Sequence, residues 1–472
     1  MQLIASLPLL LSLLPFGAAH HSDETVHAAV IFHRHTDRTW KSAPPTRLTT
    51  LGQTQAYKSG RYWAKRYLDA SSDHQILGIS PSTYNPADLK VYAPDEPVLV
   101  TTGQSFLQGL YPPSSAAAET LANGTKLEAP LEGYQYAALH TVQKDSPEAI
   151  WLKGDDSCPA HDAVEDVFEV SSSEESDTKA FYESFYDRVF SGVMDKSKLS
   201  FSNAFAVFDY VNVGITRNET IAKAVSSDEL AKLQYLASRA EFALNGDIAS
   251  TTDIRAISGR TLARRVLDQL TLAISTKGLK EKFFISVGSY DTFLSFFAIV
   301  GLPAFKDEFR NLPNLGSVMA FEVLSYGQQS SLPAEKELFI RFLFRNGTED
   351  TSAATATPLF STSSWDAIIP WATFQEKMGA IAIKGLDEWC NLCKSQQLFC
   401  NAYYPAGVTV GSLNKGSNGL SAPVAGIVGG VIVLGVMSLL TLAALFLGLR
   451  VTRKRKLPAA KTLDDASSIE KA

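Results

Sequence analysis

Charged side chains are missing from two long stretches of this 472-residue chain. Residues 1–19 are apolar and end in Gly17-Ala18-Ala19, which is typical of a cleavable secretory signal, although no basic residue opens the segment. Residues 423–449 exceed the roughly 20 apolar residues that a bilayer core requires, and they predict a transmembrane helix. The alternatives are a buried N-terminal helix for the first stretch and a lipid-anchor signal for the second. A lipid-anchor signal ends in its apolar stretch, whereas 23 residues follow here.

Net positive charge is absent from the body of the chain but clusters after the second uncharged stretch. Residues 450–472 hold seven basic and three acidic side chains, whereas the whole chain carries −6, so the body carries −10. Clustered Lys and Arg stay cytosolic, which predicts a single-pass type I protein of the secretory pathway with an extracellular or lumenal body. The acidic body argues against nucleic acid as a partner, and it requires any anion site to be built locally.

Cysteine is scarce as well. Four are present, all in the body: Cys158, Cys390, Cys393 and Cys400. An even number in a secreted chain predicts two disulfides, with three possible pairings. Cys390 and Cys393 have the Cys-x-x-Cys spacing that is also found in zinc and redox sites. Neither the two further ligands of a zinc site nor the strand and helix that flank a redox site are evident, so the sequence predicts no metal and no cofactor. N-x-Thr sequons suit a glycosylated exterior and begin at Asn123, Asn218 and Asn346.

The body divides into an α/β part and a helical part. Short apolar runs predict strands at 28–33, 89–92 and 283–287, helices at 50–68, 101–110 and 291–300, and a strand hairpin at 318–324 and 338–345. Amphipathic helices follow polar sequence between 114 and 245, one of them opened by a Ser226-x-x-Glu229 capping box. The predicted organisation is a signal at 1–19, an α/β domain at 20–113 and 246–405, an inserted helical lobe at 114–245, a Gly/Ser-rich stalk at 406–422, a transmembrane helix at 423–449 and a cytosolic tail at 450–472.

The end of the first predicted strand carries the most reactive side chains. Arg34, His35 and Arg38 follow an apolar run, and ligands of α/β proteins bind beyond the carboxyl ends of strands. Two guanidinium groups suit a tetrahedral oxyanion such as phosphate, and a neutral imidazole between them can act as a nucleophile. From spacing alone, a solvated basic turn is an equally good interpretation.

Several ordered blocks make the interpretation more specific. Residues 34–38 read Arg-His-Thr-Asp-Arg, residues 48–52 read Leu-Thr-Thr-Leu-Gly, residues 107–113 end in Tyr-Pro-Pro, and residues 286–303 contain a Tyr-Asp pair. In these blocks the chain resembles the histidine acid phosphatase family, within branch 2 of the histidine phosphatase superfamily, from about residue 28 to residue 400. The resemblance implies a phosphoglycerate mutase-like, three-layer α/β domain with an inserted lobe.

The same resemblance implies a role for each matching residue. His35 would be the nucleophile that becomes phosphorylated, with Arg34 and Arg38 holding the phosphate. Asp291 would protonate the leaving alkoxide, which fits an enzyme that works in acid. The substrate would be a small phosphate monoester or another phosphorylated ligand. Because Asp291 stands where a helix is predicted to begin, a simple capping role is the alternative.

Four positions depart from the family pattern. Val98 stands where the family has another phosphate-binding arginine, and Tyr290 stands where it has a histidine. Thr36 replaces a glycine, so its Cβ is expected to narrow the anion site, and Trp40 replaces a proline. The Tyr290 hydroxyl is a possible replacement donor.

These departures leave two hypotheses. One is an acid phosphatase with an altered pocket, and the other is a catalytically impaired or inactive relative that serves as a cell-surface binding domain. His33 shares the strand face of His35, and we interpret it as a packed histidine rather than a metal ligand.

Overall fold

The computed structural model describes residues 24–166, 171–360 and 367–404. The predicted signal at 1–19, stalk at 406–422, transmembrane helix at 423–449 and tail at 450–472 lie outside these ranges. Within the ranges, no helix is both long and apolar enough to cross a membrane.

A central mixed sheet organises the chain. Its strands, and those of one small ribbon, are β1 Glu24–Arg34, β2 Leu89–Pro94, β3 Glu119–Thr120, β4 Lys126–Leu127, β5 His140–Val142, β6 Phe283–Gly288, β7 Val318–Tyr326, β8 Phe339–Arg345, β9 Thr355–Ala356 and β10 Ile368–Pro370. The sheet order is β10-β8-β7-β1-β6-β2-β5, with β9 beside β8, while β3 and β4 form the separate ribbon. Strands β1, β6, β2 and β5 are parallel to one another, so their carboxyl ends share one edge. The predicted β7–β8 hairpin is confirmed as an antiparallel pair.

The helices of the described ranges either cover the two faces of the sheet or form a separate group. They are α1 Thr50–Tyr67, α2 Pro97–Leu110, α3 Pro130–Gly133, α4 Pro159–Asp166, α5 Ser172–Glu183, α6 Tyr186–Val189, α7 Ala204–Gly214, α8 Glu219–Ala224, α9 Ser227–Asn245, α10 Ile257–Ser275, α11 Tyr290–Ile299, α12 Leu302–Phe305, α13 Trp371–Ile381 and α14 Leu386–Cys393. Val30 and Phe32 of β1 pack towards α10, α11 and α13, whereas Ile31 packs towards α1 and α2. This alternation gives three layers, since neighbouring residues of a strand point to opposite faces.

The helices between residues 182 and 240 pack around a hydrophobic cluster of their own. Ser226 and Glu229 form the predicted capping box at the start of α9. The sheet nevertheless takes in β5, which lies inside the 114–245 range assigned to the lobe. The lobe boundaries therefore stay a prediction.

A buried ion network ties β1 to its surroundings at the end remote from His35. Glu322 of β7 accepts from Arg66 Nε of α1 at 2.6 Å and from Arg341 Nε of β8 at 2.7 Å. Arg341 also pairs with Glu24 of β1 at 2.6 Å. The Glu322 side chain has no exposed surface, so its charge depends on these partners.

The four cysteines form two disulfides, Cys158–Cys393 and Cys390–Cys400. Cys390 and Cys393 are therefore each bonded to another partner, and the zinc or redox interpretation of their spacing is wrong. Within the described ranges, no group of three or more His, Cys, Asp or Glu side chains is placed to hold a metal ion. The side chains of the three sequon asparagines are exposed, as glycan attachment requires.

Candidate active site

The candidate site lies at the shared carboxyl edge of the parallel strands. Arg34, the last residue of β1, is in register with Gly288, the last residue of β6, so His35 and Tyr290 follow neighbouring strands. The segments after β2 and β5 complete the edge. Together they surround a cavity of about 510 Å³ that includes His35, Arg38, Val98, Tyr290 and Asp291 among its lining residues. The structure therefore brings residues that are far apart in sequence to one opening.

His35 is buried but borders this cavity. Its Nδ1 lies 3.0 Å from the carbonyl oxygen of Thr36. Because a carbonyl only accepts, Nδ1 carries the proton and the lone pair lies on Nε2. Burial, together with the nearby charges of Arg38 and Arg34, holds the pKa of His35 well below its usual value. The imidazole therefore stays neutral and nucleophilic in acid.

The two arginines that flank His35 are placed differently. Arg38 lines the cavity and its Nη1 donates to Asp209 Oδ2 of α7 at 2.9 Å. A guanidinium has five N–H donors, so Arg38 keeps donors for an oxyanion. Arg34 donates to the carbonyl of Pro313, and its guanidinium lies 5.1 Å from the centre of the Tyr290 ring. Arg34 is thus not in the cavity wall but contributes positive potential from behind it.

Tyr290, the predicted replacement donor, already has a partner for its hydroxyl. Its ring packs 4.7 Å from that of Phe205, and its hydroxyl bonds to Glu241. Burial and the neighbouring carboxylates raise the pKa of Tyr290 well above its ordinary value, so the hydroxyl stays neutral. The guanidinium of Arg34 lies over this ring.

Thr36 was expected to narrow the anion site through its Cβ, but it is not among the residues that line the cavity. Its hydroxyl donates to the carbonyl of Gly52 at 2.8 Å, away from the residues that line the cavity. Because Thr36 is not in the left-handed backbone region, glycine is not required there. Trp40 is half-buried, and its ring packs 5.1 Å from Tyr210.

Val98 lies in the first turn of α2 and lines the cavity, as expected for the position of the missing arginine. Other cations reach the same opening. Lys153 lies 2.8 Å from both Glu96 and Asp156, so these carboxylates neutralise its charge. Lys41 borders the cavity, and its Nζ lies 5.9 Å from the centre of the Tyr290 ring.

Asp291 is the second residue of α11, and Ser289 occupies the N-cap position without a side-chain capping hydrogen bond. The capping alternative for Asp291 is therefore wrong. Its carboxyl lines the cavity and contacts the side chain of Asp155, which also lines it. Within the described part of the chain, no hydrogen-bond donor reaches Oδ1 of either residue.

His33 is a packed histidine, as predicted. Its Nε2 lies 2.9 Å from the Ser59 hydroxyl and its Nδ1 lies 2.5 Å from the Arg34 carbonyl. Burial lowers the pKa of His33 to about 4, so the imidazole is neutral at ordinary pH.

The sequence did not identify Asp155, Lys41 or Asp209 as site residues. Asp155 belongs to a Lys-Gly-Asp-Asp run beside Cys158, and a cysteine that forms a disulfide fixes its neighbours. Asp209 is the only charged residue of the mainly apolar helix α7, and a buried carboxylate usually has a partner. The sequence thus marks Asp155 and Asp209 as unusual residues, but it does not show that they contact Asp291 and Arg38.

Comparisons with known proteins agree with this architecture. A sequence profile described as "Histidine phosphatase superfamily (branch 2)" matches residues 25–345. Hafnia alvei phytase in its apo form is 13% identical, with 77% of this chain and 98% of that chain covered and a TM-score of 0.53. Klebsiella sp ASR1 phytase is 11% identical, with 77% and 97% covered and a TM-score of 0.51. At these identities the likeness shows the fold alone. No curated protein sequence matches the chain.

Proposed function

The chain belongs to branch 2 of the histidine phosphatase superfamily, and on that premise we propose that it hydrolyses phosphate monoesters through a phosphorylated His35. One observation carries the proposal: the Thr36 carbonyl fixes Nδ1 of His35 as the protonated nitrogen, which leaves the Nε2 lone pair on a buried imidazole at the cavity. A preorganised nucleophile of this kind needs no proton removed before it attacks.

In the first step, Nε2 of His35 attacks phosphorus while the bond between phosphorus and the ester oxygen breaks. Asp291 protonates that oxygen, so an alcohol leaves and Asp291 becomes a carboxylate. In the second step, water attacks phosphorus and the phosphorus–nitrogen bond breaks. Asp291 takes the proton of the water, and inorganic phosphate is released with the starting protonation restored.

Arg38 and Lys41 are the cations that we assign to the phosphate, because both line the cavity. Arg34 adds positive potential and helps to keep His35 neutral. Loss of a single preorganised donor typically costs about 10²–10³ in turnover. With Val98 in place of one donor and Tyr290 in place of another, we expect a slower enzyme than the family pattern provides.

The charge of the cavity supports a substrate with a single phosphate. Carboxylates outnumber cations among the described lining residues: Glu96, Asp155, Asp156, Asp162, Glu241 and Asp291 against Arg38, Lys41, Lys144 and Lys153. Each further phosphate group would bring negative charge against these carboxylates at low dielectric. We therefore assign a small monoester with a neutral or cationic alcohol part.

A non-catalytic binding ectodomain is the second candidate. Val98 supports it, because an apolar side chain lines the wall where the family has an arginine. For either candidate we propose the secretory-pathway arrangement derived from the sequence, in which residues 423–449 anchor the body outside the cytosol.

The test uses the full-length chain, purified in detergent, at mildly acidic pH with glycerol phosphate and with inositol hexakisphosphate. We expect phosphate release from the first substrate, a much lower rate on the second, and a loss of roughly 10³-fold or more in His35→Ala. His140→Ala is the matched control, because this histidine of β5 is not among the lining residues. Equal activity in the wild type and His35→Ala would reject catalysis through His35 and favour the binding role.

A further inference from the structure

Two carboxyl groups meet in the cavity. The side chains of Asp155 and Asp291 are within hydrogen-bonding contact, and each keeps a buried Oδ1 that no donor reaches within the described ranges. Two ionised carboxylates in contact repel each other strongly, so such a pair retains one proton that belongs to both groups.

The segment that carries Asp155 is fixed on several sides. Gly154 lies so close to α10 that a Cβ there would stand 2.2 Å from Thr261 Oγ1. The carbonyl of Gly154 accepts from Trp389 Nε1 at 2.7 Å. Cys158 is bonded to Cys393, and the intervening Ser157 accepts from Ser395 Oγ at 2.7 Å. Asp155 is therefore held against Asp291 by contacts outside the cavity.

The cations near the pair act on it but are only partly available to it. The charge of Lys153 acts on both aspartates, but its ammonium group is already engaged with Glu96 and Asp156. The charge of Lys41 also lowers the pKa of Asp291, and Asp156 adds a further negative charge beside Asp155. The other titratable groups that line the cavity are His35, Arg38, Lys144, His161, Asp162, Glu241 and Tyr290.

We propose that Asp155 is a positioning residue that shares one proton with Asp291 and so maintains the general acid at pH values at which a lone carboxyl group would be ionised. The proposal rests on the proposed function, since it assigns the source of the proton that Asp291 donates.

The proton balance is simple. The singly protonated pair has two forms, with the proton on Asp155 or on Asp291. From the second form, the proton passes to the ester oxygen as the bond to phosphorus breaks, and the pair is left without a proton. The water that hydrolyses phospho-His35 returns one proton to Asp291, which shares it again with Asp155.

The electrostatics of the site agree with this assignment. Burial and the adjacent charge of Asp291 raise the pKa of Asp155 well above its ordinary value. Burial alone would also raise the pKa of Asp291, but its hydrogen bond with Asp155 and the charge of Lys153 lower it overall. The last proton of the pair is thus retained at higher pH than in an isolated carboxyl group.

Asp155→Asn tests the proposal, because an amide keeps the shape and the hydrogen bond but cannot hold the proton. On glycerol phosphate we expect the falling limb of the kcat profile to move to lower pH. The wild-type kcat divided by the variant kcat should be at least about fivefold larger at pH 6 than at pH 4. A change of one pKa unit alters the protonated fraction of the general acid by up to tenfold. KM should change less than about twofold, and Asp155→Glu should restore part of the rate at pH 6.

Two controls separate this effect from a structural one. Asp145→Asn removes an exposed carboxylate from the same connection after β5, outside the cavity lining, and should leave the profile unchanged. With 4-nitrophenyl phosphate, whose leaving group needs little protonation, the loss in Asp155→Asn should be smaller than with glycerol phosphate. A wild-type to variant ratio that is independent of pH overturns the proposal.

A measurement on the wild-type chain does not depend on the variant folding. Infrared spectra at pH 6 should show the carbonyl band of a protonated carboxyl group, and its absence overturns the proposal. The kinetic outcomes also remain distinct from those of the proposed function. If His35→Ala is as active as the wild type, the proposed function fails. If activity requires His35 but Asp155→Asn keeps the wild-type profile, only this inference fails.

Discussion

Replacement of Glu322 by Gln tests how the buried network stabilises β1, the strand that leads to His35. Although burial alone raises the pKa of Glu322, Arg341 and Arg66 lower it from 4.5 to about 2. At about 1.4 kcal/mol per unit, this depression is linked to about 3 kcal/mol of folding free energy. Because the pKa in the folded chain lies below that in the unfolded chain, the contribution is complete above about pH 5 and is lost as the pH falls towards 2.

The assay is denaturant-induced unfolding of the wild type and Glu322→Gln at a series of pH values. Gln does not titrate, so the variant lacks the linkage contribution and also leaves two buried arginines without their carboxylate. We expect it to be about 3–5 kcal/mol less stable near pH 6. The difference should shrink by about 3 kcal/mol towards pH 2, because the wild type then loses the same charge. Glu335→Gln, at an exposed position, should show neither effect. A difference that stays constant across pH would refute the reasoning.

The remaining predictions concern the walls of the cavity. Gly154→Ala places a Cβ 2.2 Å from Thr261 Oγ1, so the segment with Asp155 must shift. We expect about 1–3 kcal/mol lower stability and the same pH-dependent loss of kcat as in Asp155→Asn, measured by unfolding and by phosphate release. Thr36→Gly removes the buried hydrogen bond to Gly52 and should cost about 1–2 kcal/mol, while KM stays within about twofold. A tenfold lower KM would show that Thr36 does narrow the phosphate site.

Most of the α/β framework was readable because apolar runs and helix periods coincide with its elements. The strands around residues 28–33 and 283–287 were located to within a few residues, since both faces of these strands are buried. Helix α2 begins at Pro97 rather than at 101, because proline is well suited to the first helical position. The short, half-polar strand β5 carries no such pattern, so the sheet edge next to the cavity was not predicted.

The chemistry of the site was only partly readable. His35 and Asp291 follow neighbouring strands, and local motifs indicated both. Asp155 reaches Asp291 through β5 and the Cys158–Cys393 disulfide, and cysteine spacing alone cannot specify that pairing. The two roles of Arg34 and Arg38 were also indistinguishable in sequence, because each depends on a distant partner, Pro313 or Asp209.

The position of β1 has a consequence for biosynthesis. Its two neighbours in the sheet are β6 and β7, and Ala29 pairs with Phe283 on one side and with Glu322 on the other. Among the described strands, β1 leaves the ribosome first, and neither of its ladders can form until more than half of the chain has been made. Such late pairing leaves the apolar side chains of β1 exposed during translation. Newly made chains should accordingly depend on chaperones that shield residues 24–34 until the second half arrives.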